Sequence, residues 1–180
     1  MLIDSAKSCL LIVDVQPRLL RAMDAPRQVV GGCSLMMKAA GILDVPVVVS
    51  EQYPEGLGQT VEPLAELASD DAFFSKLEFS CARNRGILGK IGDLAPEHVV
   101  IGGIEAHVCV LQSAIGLARE GYSCFVAADA TSSRNPANHA AAMARMREAG
   151  VEIVTSEMVV FEWLEKAGTP EFKELSRLLK

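Results

Sequence analysis

The sequence predicts an α/β protein, a three-layer α-β-α sandwich around a six-stranded, mostly parallel sheet. Three observations carry this reading. Short apolar runs alternate with longer amphipathic ones along the whole chain. Several of the short runs, CLLIV and VPVVV among them, are continuously apolar, as strands covered on both faces must be. The repeated β-α-β-α order, joined by right-handed crossovers, then leaves few topologies.

The first strand is predicted over 9–15 (CLLIVDV). A helix follows over 26–43, opened by Pro26, whose missing N–H costs little in a first turn. The second strand is 45–50 (VPVVVS), and the Gly- and Pro-rich stretch 51–63 (EQYPEGLGQTVEP) follows it at the carboxyl edge, where such sheets bind ligands. The third strand is 72–76 (AFFSK), with a helix over 83–92 behind it. The fourth, 98–104 (HVVIGGI), leads through GIEAHVCV into a helix over 110–121. The fifth, 123–129 (SCFVAAD), precedes a helix over 136–150 that Pro136 opens. Glycines at 92, 121 and 150 are read as closing three of these helices. The last strand is 151–156 (VEIVTS), and TPEFKELSRLLK (169–180) reads as a capped helix outside the sheet or against a partner subunit.

No repeat, low-complexity segment or linker interrupts the pattern, so residues 1–180 are expected to form a single domain. A domain of this size buries roughly 70% of its unfolded surface. Half the residues are hydrophobic, yet no apolar run approaches the roughly 20 residues that span a bilayer. The N-terminus lacks the basic segment and small-residue cleavage site of a secretory signal, and a cytoplasmic location is expected. The formal net charge is −6 with Lys and Arg scattered, which argues against nucleic-acid or membrane partners and for a small-molecule substrate. Five cysteines without CxxC spacing or a His cluster indicate neither a disulfide framework nor a zinc site. Neither GxGxxG nor GxxxxGK[ST] occurs, so no cofactor is expected. Seven methionines and a mean hydropathy of +0.26 point to a homo-oligomer, dimer or higher.

Three residues fall at carboxyl ends of strands, where one pocket would collect them: Asp14 after strand one, Lys76 after strand three and Cys109 beyond strand four. Taken singly, each has a plain reading as a capping carboxylate, a solvated lysine and a small buried hydrophobe. A helix N-terminus and a nearby lysine are expected to lower the pKa of the Cys109 thiol. His107 reads as pocket wall or subunit contact, with a Cys-His dyad as the alternative, while His98 and His139 read as structural.

Across nearly its whole length the chain resembles the isochorismatase-like cysteine hydrolases. LLIVDVQ carries Asp14, FFSKLEFS carries Lys76 and GIEAHVCV carries Cys109. GIEAHVCV together with SEQYPEGLG and ADATSSR is most similar to the isochorismatase domain-containing group. The resemblance implies a Rossmann-like six-stranded sheet and a triad of Asp14, Lys76 and Cys109. It also implies a cis peptide at Ile104–Glu105 and an oxyanion hole from the backbone N–H groups of Glu105 and Cys109. The implied reaction is hydrolysis of a non-peptide, amide-like C–N bond through a Cys109 thioester.

Departures from relatives narrow this. Nicotinamidases of the superfamily hold a metal through an Asp-x-His pair after strand two; Glu51 and Tyr53 stand there instead, so no metal is expected. Isochorismatases proper lack the cysteine, so Cys109 points to the covalent branch. The substrate pocket is expected from Gln16, Leu19, Glu51, Tyr53, Phe79 and His107, any of which ordinary packing would also explain. The competing reading is a non-catalytic or weakly catalytic protein that keeps the fold for ligand binding or assembly. Redox sensing by Cys109, with Cys81 as resolving partner, is a further one.

Overall fold

β1 (Ser8–Val13) is buried at every position, because sheet neighbours flank it on both edges and helices cover both faces. In the computed structural model, which describes residues 1–179, it pairs in parallel with β2 (Val47–Gln52) and β4 (His98–Ile104). β3 (Phe73–Lys76), β5 (Ser123–Ser132) and β6 (Glu152–Val154) complete a six-stranded parallel sheet in the order β3-β2-β1-β4-β5-β6. The alternation of side chains splits the interior into two cores. Leu10, Ile12 and Val49 face Met36 of the helix Pro26–Ile42 and Trp163 of the helix Ser156–Leu164. Leu11, Val13 and Val48 face Ile87, Leu117 and Met146 on the helices Arg85–Leu94, Leu111–Arg119 and Pro136–Glu148. Among the described residues no helix is long and apolar enough to cross a membrane.

Several boundaries differ from those expected, each for a local reason. β2 begins later than predicted and runs on to Gln52, which brings Glu51 and Gln52 into the sheet opposite Ser75 and Lys76. β5 continues to Ser132 past a register shift against β4 between Ile101 and Gly103. β6 stops at Val154, because the Thr155 side chain accepts from Met158 N–H and caps Ser156–Leu164, a helix the sequence reading missed. That segment, SEMVVFEWL, is so apolar that no stripe marks it as amphipathic. The helix predicted over 83–92 is Arg85–Leu94, capped by the Asn84 side chain on the N–H groups of Gly86 and Ile87. Gly92 lies inside it, and Ala95 (φ 48) closes it in the left-handed region. Gly121 and Gly150 do close their helices, at φ 100 and 86. The terminal helix is Pro170–Leu175, capped by Thr169; Lys180, its last predicted residue, lies outside the described residues.

Gly103 has no substitute at its position. Its φ is +121, and a Cβ there would stand 2.1 Å from the Val13 carbonyl oxygen. This close approach of β4 to β1 lies next to the ends of the two strands that bring the candidate residues together.

Candidate active site

β1 and β4 are neighbours at the centre of the sheet, but the chain leaves them toward opposite edges, so a crevice opens beyond their carboxyl ends. Asp14 follows β1 directly and takes a positive φ of 52, while its N–H still donates to Ser50 C=O at 3.0 Å. Its carboxylate is buried and used on both oxygens. Ser50 Oγ donates to Oδ1 at 2.7 Å, and Lys76 Nζ donates to Oδ2 at 2.7 Å. Both side chains of this ion pair have 0% exposure.

Lys76 ends β3 and is the register partner of Gln52. Besides Asp14, its ammonium donates to Gln52 Oε1 at 2.6 Å and, weakly, to Phe79 C=O at 3.4 Å. A cleft of about 520 Å³, whose lining includes Tyr53, Glu55, Ser75 and Asn84, lies over Lys76.

Cys109 sits in a π-helical turn, Ala106–Val110, between β4 and the helix Leu111–Arg119. The Ile104–Glu105 peptide before it is cis. The N–H groups of Val108 and Val110 both donate to Glu105 C=O, at 3.1 and 3.2 Å. Cys109 is 6% exposed, and its buried thiol lies within the field of both Asp14 and Lys76. The expected lowering of the thiol pKa does not hold. Burial pushes the thiol up, the charge of Asp14 pushes it further, and Lys76 only partly opposes them. Burial raises Asp14 as well, against the lowering effects of Lys76, Ser50 and Cys109. Both shifts are upward, because burial opposes charge on either group.

The other expected pocket residues divide. Tyr53 is exposed and lines the cleft, and Phe79 is exposed beside Lys76. Gln16 does not face a pocket: it is fully buried, its amide donating to the carbonyls of Gln52 and Gly58 and accepting from Gln52 N–H. Leu19 is partly buried and packs against the hydrophobic core. Glu51 is buried and turned to Thr60, whose N–H and hydroxyl both donate to its Oε1, at 2.7 and 2.8 Å. His107 is engaged on both ring nitrogens, Nδ1 with Ser133 Oγ at 2.9 Å and Nε2 with the Asn138 amide at 3.4 Å. Glu105 Oε2 accepts from Arg134 N–H and Nε–H at 3.2 and 3.0 Å, so the turn holding Cys109 is tied to the loop after β5. No group of three or more His, Cys, Asp or Glu among the described residues is placed to hold a metal ion.

Sequence reasoning missed Ser50 and Gln52, which support the carboxylate and the ammonium respectively. The available signal was their spacing: two polar residues at i and i+2 end an apolar strand, on the side of the sheet that Val48 faces.

A family model, the isochorismatase domain, matches residues 8–158. Isochorismatase domain-containing protein 2 of Rattus norvegicus is 38% identical over 174 residues, 96% of this chain and 81% of its own length. Among solved structures, one described as the MAR1 ribonuclease of Caenorhabditis elegans superposes with a TM-score of 0.93 at 32% identity, covering 99% of this chain and 92% of that one. The YcaC gene product of Escherichia coli, described as an octameric hydrolase of unknown specificity, superposes with a TM-score of 0.93, covering 99% of this chain and 90% of that one; at 21% identity it speaks for the fold alone.

Proposed function

The chain belongs to the isochorismatase family and has its hydrolase fold, and from that premise we propose that it hydrolyses a small, non-peptide amide-like C–N bond through a covalent Cys109 intermediate. The observation that carries this reading is the buried Asp14–Lys76 ion pair at 2.7 Å, with the buried Cys109 thiol near enough to feel both charges. Moving the thiol proton to Asp14 turns a carboxylate and thiol into a carboxylic acid and thiolate. The net charge of the cluster is unchanged, so a dry site tolerates the transfer, and the charge of Lys76 favours the new anion. The thiolate attacks the carbonyl carbon, and the backbone N–H groups of Glu105 and Cys109 are the proposed donors to the oxyanion. Asp14 returns the proton to the leaving amine. As a carboxylate again, it takes a proton from the water that releases the acid and regenerates the thiol.

The acidic balance, with net charge −6, supports a small substrate over RNA. Free thiols at all five cysteines support a reducing, cytoplasmic setting. Exposed Tyr53, Leu77 and Phe79 near the site, with Leu2 and Phe161 elsewhere, support homo-oligomerisation. The second reading, ligand binding without turnover, draws on the low exposure of Cys109. Intact-mass trapping against a panel of small amides, ureides, esters and an RNA oligomer separates them, with Cys109→Ala as control and sedimentation of the same sample for assembly. We expect an acyl adduct on the wild type from at least one amide or ureide, and none on the variant. Acylation of neither, or of both equally, removes the hydrolase reading.

A further inference from the structure

Lys76 has no exposed side-chain surface, yet each group its ammonium meets is an acceptor: Asp14 Oδ2, Gln52 Oε1 and Phe79 C=O. An ammonium has three donors and no acceptor, so this shell suits the cation and offers nothing to an amine lone pair. The shortest of the three contacts, 2.6 Å, is to Gln52.

Gln52 is itself held so that its oxygen faces the lysine. Its Nε2 donates to Leu77 C=O at 2.9 Å, which fixes the amide orientation. Its backbone is clasped on both sides by the buried Gln16 amide, through Gln52 N–H to Gln16 Oε1 at 2.8 Å and Gln16 Nε2 to Gln52 C=O at 2.9 Å. The pairing of Gln52 with Lys76 across β2 and β3 sets the two side chains together. An acceptor without charge matters here, because a second carboxylate would compete with Asp14, and later with the thiolate, for the one cation.

We propose that Gln52 is a positioning residue of the site, its neutral amide oxygen holding the Lys76 ammonium against Asp14 so that the full positive charge stands beside Cys109. The inference rests on the reading of Cys109 as the reactive thiol, but its test needs no substrate and so fails or succeeds separately from the hydrolase reading.

The experiment alkylates the wild type, Gln52→Met and Gln52→Glu at one mildly alkaline pH with neutral iodoacetamide and anionic iodoacetate, reading modification at Cys109 by peptide mass. A nearby cation favours the anionic reagent, whereas a change of access slows both alike. Gln52→Met, similar in length and without an acceptor oxygen, is expected to lower the iodoacetate-to-iodoacetamide rate ratio by about fivefold as Lys76 loses its hold. Gln52→Glu, which keeps the oxygen but adds a charge that offsets the lysine, is expected to lower the ratio by a similar factor, and it carries the test if Gln52→Met does not fold. A wild-type ratio in Gln52→Met, or in Gln52→Glu where only that variant folds, overturns the proposal, even if both absolute rates fall.

Discussion

Asp14 acts on Cys109 in two opposed ways. As a neighbouring anion it raises the thiol pKa, and in the proposed mechanism it is the acceptor for the thiol proton. Asp14→Asn separates the two. It removes the charge while leaving an oxygen for Lys76, so the thiolate is formed more readily: iodoacetamide should modify Cys109 about tenfold faster at neutral pH, while any amide turnover disappears. Alkylation slower than wild type would show that Asp14 chiefly shapes access to the thiol. Asp14 and Lys76 were legible as residues at strand ends, and the fold pairs them at 2.7 Å; Cys109, in a turn beyond β4, was picked out by the family resemblance. Gln52 was harder to read: its spacing from Ser50 was the one signal, it stands in EQYPEG (51–56), which reads as loop, and its meaning comes from a register with Lys76 that the folded sheet supplies. His107 was visible but its partners were not, since Ser133, in the loop after β5, and Asn138, in the helix Pro136–Glu148, are remote in sequence.

At the level of elements, the helix Leu111–Arg119, which continues from the turn holding Cys109, packs closely on the turn Cys81–Arg83. Cys81 N–H donates to Ser113 Oγ at 2.8 Å and Ser80 Oγ to Gln112 C=O at 3.0 Å. Gly116 makes the approach possible, since a Cβ there would stand 2.7 Å from Ala82 Cβ and 3.1 Å from Ser80 Oγ. Gly116→Ala is therefore expected to cost about 1–3 kcal/mol by overpacking and to slow Cys109 alkylation as the helix moves out. Gly41→Ala is the control: in the helix Pro26–Ile42 nothing lies within 4 Å of the added methyl, and a gain of up to about 1 kcal/mol is expected from helix propensity. Urea unfolding of the two variants checks both signs, and equal behaviour would remove the packing argument. From the sequence, both glycines look like similar weak points in a helix. The long, periodic helices were predictable because their stripes face a core; Ser156–Leu164 was not, because a segment apolar nearly all round leaves no stripe to read.

Across the whole molecule the thiols couple the packed cores to pH. All five cysteines are free and buried, and they are spread through both cores, Cys33 in one and Cys9 and Cys124 in the other. Burial pushes each of these three from an ordinary value of 9.0 to about 12. A buried thiol whose folded pKa is raised works against folding once the unfolded thiol ionises, because the folded form must keep its proton. Below pH 9 both states are protonated and the thiols are silent. Between pH 9 and 12 the unfolded chain ionises and the folded one does not, so folding stability falls as pH rises, at up to about 1.4 kcal/mol per pH unit for each thiol. Thermal melts should accordingly lose ground progressively above pH 9. Cys33→Ala starts lower at neutral pH because it opens a small void in a fully buried site, yet its decline above pH 9 should be shallower than the wild type's, since one ionising group is gone from the unfolded state. Parallel declines in the two proteins would mean that the alkaline limit is set by other groups, and that the buried thiols do not ionise with the chain's unfolding.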